Sequence, residues 1–185
     1  MSQTAFRHRP AVWISDRYSA QQGHCERQQT CLAHLARDVA YAVEAGDDLI
    51  AMQLQWWLDE AFGLARGLTE LAASTLARKR RELEQDLDAI LKAPATCDLA
   101  QALQARMRRA RDQLLTFVAF PGQVDVTNNA CERDLRPAVI QRKVTNGYRA
   151  MWATRGEADV RTVVATAALR TKATPFATLL ATITA

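Results

Sequence analysis

Apolar residues recur every three or four positions along most of the chain, which is the period of an amphipathic α-helix. Four such segments also carry start or stop signals. The first segment, 32–46, ends at Gly46, and the second, 49–62, follows the N-cap candidates Asp47 and Asp48. The third segment, 69–94, ends at Pro94. The fourth segment, 98–120, begins at Asp98 and ends before Pro121-Gly122. A short link that contains Pro joins the last two segments, so we predict that they form an antiparallel hairpin.

One segment is typical of a β-strand. Residues 11–14, Ala-Val-Trp-Ile, are all apolar, which suits a short strand buried on both faces, and Ser15-Asp16 close it. Residues 123–128 are a weaker candidate for extended chain. We therefore predict a mainly α protein with one short N-terminal strand, whose carboxyl end presents the side chain of Asp16.

The last third of the chain predicts further helices. Asn128-Asn129 favours a turn or an N-cap, so a helix should begin near Ala130, and Pro137 predicts that this helix is short or kinked. A polar loop is expected from there to Gly156. Helical spacing returns over 160–168, and Thr174-Pro175 predicts the start of a final helix.

Composition indicates one globular domain. The chain has 185 residues, of which 49% are hydrophobic and 24% are charged, and a chain of this length buries roughly 70% of its unfolded surface without needing a disulfide or a metal. No apolar run approaches the roughly 20 residues that cross a bilayer, and the first residues lack the apolar stretch of a signal peptide. We expect a cytoplasmic protein with no membrane partner and four reduced cysteines.

Positive charge is unevenly distributed along the chain. The whole chain has a net charge of +4, whereas the part from Cys131 onward has nine basic and four acidic residues. Two further basic clusters, at 78–81 and 106–111, lie on predicted helices together with acidic residues. We interpret these two clusters as solvated helix faces.

Two carboxylates stand out by their positions in the predicted elements. Asp16 closes the strand, and Glu132 lies in the first turn of a helix behind the Asn-Asn turn. Both are oxygen ligands that a divalent cation can share. Spacing alone leaves the alternative open that Asp16 is a turn residue and that Glu132 complements the helix dipole.

A second set of metal-ligand types occurs within eleven residues. The set comprises His24, Cys25, Cys31 and His34. Its composition allows a tetrahedral zinc site, but its spacing differs from that of the familiar zinc fingers. Zinc binding, a role near an active site and a packed structural histidine at His34 remain the alternatives.

Three strings occur in the order of a known family. They are 12–18, Val-Trp-Ile-Ser-Asp-Arg-Tyr, 31–38, Cys-Leu-Ala-His-Leu-Ala-Arg-Asp, and 127–137, Thr-Asn-Asn-Ala-Cys-Glu-Arg-Asp-Leu-Arg-Pro. Shorter matches follow at 142–149, Arg-Lys-Val-Thr-Asn-Gly-Tyr-Arg, and at 174–176, Thr-Pro-Phe. From about residue 11 to its end, the chain resembles the catalytic half of bacterial insertion-sequence transposases of family sixty-six. The helical stretch 47–119 resembles the family only in its general character and not in specific residue strings.

The resemblance implies a ribonuclease H-like core in which an Asp-Asp-Glu (DDE) triad holds two Mg²⁺ ions and cuts and joins DNA strands. By this likeness Asp16 is the second Asp and Glu132 is the Glu, and both are catalytic residues and metal ligands. His34, Asn128 and Asn129 would lie near the active site. The chain would form a single, incomplete catalytic domain over 1–185. Its parts would be 11–46 with the strand and the second Asp, 47–120 as a helical insertion, and 121–185 with the Glu-bearing and C-terminal helices.

The family's first Asp lies on an earlier strand, and residues 1–15 contain no acidic side chain. We therefore expect an N-terminally incomplete chain without that Asp. The strand at 11–14 would then lack its sheet partners, and each buried backbone group left unpaired costs about 1–3 kcal/mol. We predict that this strand is frayed, exposed or associated with another chain.

A DNA-cleaving site needs cations that hold phosphates beside the metal ions. The candidates around Glu132 are Arg133, Arg136, Arg142, Lys143 and Arg149. The alternative is that some of them pair with nearby acidic residues and never contact DNA. The expected partners are transposon-end DNA and either other transposase subunits or the missing N-terminal part.

The function that the resemblance implies is transposition of an insertion sequence, a form of DNA recombination. Two alternatives stay open: a noncatalytic helical module that binds DNA or transposase subunits, and an inactive remnant of a transposase.

Overall fold

The computed structural model describes residues 10–23, 25–46, 49–170, 174, 176–177 and 180. The chain forms two compact units, 1–128 and 129–185. The first unit contains β1 (Val12–Ser15), β2 (Arg27–Thr30), α1 (Leu32–Glu44), α2 (Leu49–Arg66), α3 (Ala73–Lys92) and α4 (Asp98–Ala110). The second contains α5 (Asn129–Thr145) and α6 (Met151–Arg170). The protein is mainly helical, as the sequence predicts.

The sheet has a second strand that the sequence pattern does not predict. β1 pairs in parallel with β2, with Val12 opposite Arg27 and Ser15 opposite Thr30. The expectation of a single strand without a partner in this chain is therefore wrong. β2 has the sequence Arg-Gln-Gln-Thr, which lacks the apolar residues by which strands are recognised.

Hydrogen bonds of polar side chains hold β2 in the protein interior. Gln29 is fully buried, and its Nε2 donates to the carbonyl oxygens of Thr30 at 2.8 Å and Leu114 at 3.1 Å. Its Oε1 accepts a hydrogen bond from the backbone N–H of Phe117 at 2.9 Å. Thr116 Oγ1 donates to the carbonyl oxygen of Gln28 at 2.6 Å. These bonds fix β2 against the chain that follows α4.

The helices of the first unit pack around one apolar core. On α3 the buried residues repeat at helical spacing over Leu83, Leu87 and Leu91. α2 packs against both α1 and α3, and Trp57 Nε1 donates to the carbonyl oxygen of Leu83 at 2.8 Å inside the core. The core therefore forms within the first unit.

Several helix ends differ from the sequence prediction. α2 continues through Gly63 to Arg66, and α3 begins at Ala73 rather than near residue 69. α4 ends at Ala110 instead of reaching Pro121-Gly122, because residues 114–118 are all buried and no single helix face can bury five consecutive residues. Two 3₁₀ turns, Arg111–Gln113 and Thr116–Ala119, follow it.

The predicted hairpin of α3 and α4 is present. Gln104 Nε2 donates to the carbonyl oxygens of Ile90 and Ala93, both at 2.8 Å. Arg111 forms a two-point ion pair with Asp88, with N–O distances of 2.7 and 3.0 Å. The contacts run in opposite directions along the two helices, as an antiparallel arrangement requires.

The basic clusters of this hairpin divide into two kinds. On α3, Arg78 and Arg80 pair with acidic residues one turn further on, as expected of a solvated face. On α4, Arg106 pairs with Asp38 of α1 and Arg111 with Asp88. The interpretation of the α4 cluster as a solvated face is therefore wrong for these two arginines, because each forms an ion pair with an aspartate of another helix.

The second unit is built from α5 and α6. α5 runs through Pro137 to Thr145, so the short helix, one of the two predicted alternatives, is wrong, and the kink stays a prediction. A turn that includes Asn146 and Gly147, both with positive φ, links the two helices. α6 begins at Met151 and contains Gly156, so the loop is shorter than predicted.

Two remaining predictions concern segments outside these helices. Residues 123–128 form turns and bends rather than a strand. Thr174 Oγ1 accepts a hydrogen bond from the backbone N–H of Ala177 at 3.3 Å, as expected of a helix cap. Asp47, Asp48 and Pro175 lie outside the described residues.

Candidate active site

Asp16 lies half-buried at the carboxyl end of β1, directly after the buried Ser15. Its Oδ1 accepts a hydrogen bond from the backbone N–H of Tyr18 at 3.0 Å. Asp16 is thus a turn residue, which is the alternative to metal binding that its position in the sequence left open. A carboxylate has two oxygens and about four acceptor positions, so this bond leaves capacity for other ligands.

The strand end that carries Asp16 is bound to the other two family strings. The carbonyl oxygen of Ser15 accepts a hydrogen bond from the backbone N–H of Cys31 at 2.8 Å. Cys31 Sγ in turn accepts one from the backbone N–H of Asn128 at 3.4 Å. The first residues of the 127–137 string therefore meet the strand end through Cys31.

The residues expected near the active site lie at different positions. His34 is half-buried on α1, one turn after Cys31. Asn128 is half-buried, and its Oδ1 is enclosed without a hydrogen-bond partner among the described residues. Asn129 is the exposed first residue of α5. Asn128 takes part in the contact with Cys31, and His34 lies three residues after Cys31 in the sequence.

Glu132 lies half-buried in the first turn of α5, in the second unit. At about 100° per residue, Arg136 and Lys143 lie on the same side of the helix as Glu132, whereas Arg133 and Arg142 lie to either side of it. The five candidate phosphate ligands are all exposed. Asp16 and Glu132 belong to different units, and their joint action stays a prediction.

A polar cavity of about 610 Å³ opens beside Asp16 in the first unit. Its charged lining residues are Asp16, Arg17, Asp38, Arg106 and Arg109. Arg17 Nη2 lies 3.3 Å from Asp38 Oδ2, and Arg106 pairs with the same carboxylate oxygen. Asp38 therefore acts as a shared counter-ion.

The sequence pattern alone assigns no site role to these arginines. Arg17 and Asp38 lie within the family strings, which is the signal that could have found them. Arg106 and Arg109 lie on a helix whose basic residues resembled a solvated face, and only the folded structure brings them to Asp16.

Burial and neighbouring charges both act on the pKa of Arg17. Burial and then the nearby Arg106 lower the pKa of Arg17, while Asp38 partly offsets them. An arginine pKa is so high that Arg17 stays protonated at neutral pH. The lowered pKa therefore reflects mainly the burial of the guanidinium group, with a smaller contribution from the neighbouring positive charge.

Within the described part of the chain, no group of three or more His, Cys, Asp or Glu side chains is placed to hold a metal ion. Cys25 Sγ donates to the carbonyl oxygen of Arg27 at 2.7 Å, and His24 lies outside the described residues. The zinc alternative has no support from the residues that can be described.

Comparison with known proteins identifies the family. A family model described as Transposase IS66 family matches residues 2–156. Because the match covers far more than half of the chain, the protein belongs to the transposase IS66 family. No curated protein and no solved structure gave a match.

Among the described residues, no helix is both long and apolar enough to cross a bilayer.

Proposed function

We propose that this chain takes part in the transposition of an insertion sequence by DDE-type, metal-dependent cleavage and transfer of DNA strands. Asp16 and Glu132 would supply two of the three metal-binding carboxylates. The observation that carries this proposal is the hydrogen-bonded link from Ser15 through Cys31 to Asn128. It supports an active site at the strand end, since Asn128 precedes Glu132 by only four residues.

The donor chemistry at the strand end fits Mg²⁺. Mg²⁺ prefers carboxylate oxygens and retains several waters, so it needs few protein ligands. Asp16 is half-buried and open to a polar cavity, and its turn with Tyr18 fixes the orientation of its carboxylate. When bound, two metal ions about 3.5–4 Å apart would stabilise the attacking and leaving oxygens of the phosphoryl transfer.

Asp38 is not the third carboxylate of this proposal. It lines the same cavity, but Arg17 and Arg106 both occupy one of its oxygens. Residues 1–15 contain no Asp or Glu. In our proposal the third carboxylate comes from outside these 185 residues, either from a further segment or from another subunit.

A strand-transfer assay on transposon-end DNA with Mg²⁺, in the presence of the segment or subunit that supplies the third carboxylate, tests the proposal. We expect Asp16→Asn and Glu132→Gln each to reduce the rate at least about 100-fold, because each removes a carboxylate ligand of the metal ions that would stabilise the phosphoryl transfer. Asp134→Asn is the matched control, since Asp134 lies two residues from Glu132 on the same helix and is exposed. Equal activity of all three variants and the unaltered chain would refute the catalytic assignment.

A noncatalytic DNA-binding module is the second candidate, and exposed cations of the second unit favour it. Arg133, Arg136 and Lys143 share one face of α5. Each phosphate contact contributes about −0.9 to the slope of log affinity against log salt concentration on duplex DNA. A chain that shows no strand transfer but binds transposon ends with a steep salt slope would match this candidate. An inactive remnant would show no preference for end sequences.

A salt titration of the Arg133→Gln, Arg136→Gln double variant measures the contribution of this face. If both residues contact phosphates, the slope should become shallower by about 1.8. The control is the Arg78→Gln, Arg81→Gln pair on the exposed side of α3. Identical slopes for the two double variants would exclude phosphate contacts by this α5 face.

A further inference from the structure

The cavity beside Asp16 contains more positive than negative charge. Three arginines and two aspartates line it. Asp38 is the counter-ion of both Arg17 and Arg106. Arg109 has no ion pair or hydrogen bond among the described residues and is exposed. The cavity is therefore suited to an anion.

A buried donor of Arg17 also lacks a partner. Arg17 Nε is enclosed by the protein and makes no hydrogen bond among the described residues. A charged donor that is buried without a partner is costly to the fold. The Arg17 side chain lines the cavity, and phosphate oxygens are strong acceptors for guanidinium groups.

The backbone holds Arg17 in place. Its φ is +71°, a left-handed conformation that residues with a Cβ seldom adopt. Two bonds support this turn: Arg17 N–H donates to Ser15 Oγ at 3.3 Å, and Tyr18 N–H donates to Asp16 Oδ1 at 3.0 Å. Strain of this kind is found where a fold fixes a functional side chain.

We propose that Arg17, Arg106 and Arg109 form a phosphate-binding site that holds a backbone phosphate of DNA beside Asp16. Arg106 and Arg109 belong to α4, so a helix of the segment 47–120 contributes directly to the site. The cavity of about 610 Å³ is of a size that accommodates a nucleotide. This inference rests on the proposed function, because it gives the phosphate a purpose next to a metal-binding carboxylate.

Binding of duplex DNA to the full chain in the presence of EDTA tests the inference without any catalysis. Arg109→Gln removes an exposed cation that has no structural partner, so the variant should fold normally. We expect its DNA affinity to fall about tenfold, which is the size of one lost charge-assisted bond. We also expect its salt slope to become shallower by about 0.9. Arg78→Gln is the matched control, since Arg78 is an exposed arginine on α3.

Arg109→Gln that keeps the affinity and salt slope of the Arg78→Gln control would overturn the inference. A second arm uses inorganic phosphate as competitor. Tight binding of free phosphate that depends on Arg109, together with unchanged DNA affinity, would also overturn it, because the site would then serve a small anion.

The inference and the proposed function can fail separately. If Arg109→Gln binds DNA normally while Asp16→Asn abolishes strand transfer, only the phosphate site is wrong. If Arg109→Gln weakens DNA binding while Asp16→Asn and Glu132→Gln transfer strands normally, the phosphate site stands and the catalytic assignment fails.

Discussion

Gln29 shows how one polar residue can determine a strand. Its side-chain amide bonds the carbonyl oxygens of Thr30 and Leu114 and the backbone N–H of Phe117. Glutamine is seldom fully buried, and no pattern of apolar positions marks it. The sequence therefore predicted β1 from Ala-Val-Trp-Ile but could not predict its partner.

Replacing Gln29 with Leu should lower the free energy of unfolding by about 3 kcal/mol, because buried backbone groups lose their hydrogen bonds. Gln101→Leu, at an exposed position of α4, should change it by less than about 0.5 kcal/mol. Urea unfolding of both variants measures the difference. Equal stability of the two variants would show that Gln29 does not hold β2.

The ion pair of Asp88 with Arg111 should make stability depend on pH. The hydrogen bond from Arg111 lowers the pKa of Asp88. A carboxyl group whose pKa is lower in the folded state stabilises the protein above its ordinary pKa of about 3.9, and that contribution disappears as the pH falls through the lowered value. At pH 7 the unaltered chain should therefore be more stable than Asp88→Asn.

Thermal unfolding at a series of pH values tests this dependence. The stability gap between the unaltered chain and Asp88→Asn should be constant from pH 7 to about pH 5 and shrink below about pH 4. A gap that stayed constant down to pH 2 would contradict the assignment.

The residues of the candidate site were predictable to different degrees. Asp16 and Glu132 lie within strings that resemble the family, so sequence identified them directly. Arg106 and Arg109 come to Asp16 only through the packing of α4 against α1. Periodicity could not distinguish them from Arg78 and Arg80, which pair along α3 instead.

Among the elements, helices were predicted well and their ends less well. Apolar spacing found α1, α2, α3 and the start of α4 because each presents one apolar face to the core. α4 ended early because the run of buried residues at 114–118 requires a change of backbone conformation. Gly63 and Gly156, which are common stop signals, lie inside helices instead.

Two glycines associated with these helices should respond oppositely to alanine. Gly46 follows α1 with φ of +80°, and an added Cβ meets no atom within 4 Å, so the cost is purely one of backbone conformation. We expect Gly46→Ala to lower stability by about 1–2 kcal/mol. Gly63→Ala within α2 should raise it by about 0.5–1 kcal/mol. Denaturant unfolding of both variants measures the two signs, and equal signs would contradict the helix boundaries.

At the scale of the whole chain, the two units differ in how they bury apolar residues. The first unit has a continuous core from α1 to α4. In the second unit Ala167 is the one buried residue among those described, whereas Leu135, Val144 and Trp152 are more than 60% exposed. Helices with little buried apolar surface open at low free energy.

Hydrogen exchange should reflect this difference. Backbone amides in the middle of α2 and α3 should exchange at least 100-fold more slowly than those in the middle of α5 and α6, because their opening exposes the core. Mass spectrometry of the intact chain, digested after labelling, measures both sets in one experiment. Equal protection of the two sets would show that the second unit is stabilised by contacts beyond those within its own helices.

We propose that Asp16 and Glu132 act on one metal site. Fe²⁺ in place of Mg²⁺, with ascorbate and peroxide, cuts a polypeptide close to where the ion binds, so the chain bound to transposon-end DNA can report its own ligands. We predict cuts near residues 16 and 132, and we predict that Asp16→Asn or Glu132→Gln weakens both cuts together. Cuts at neither position, or a cut near one residue that survives substitution of the other, would contradict the shared metal site.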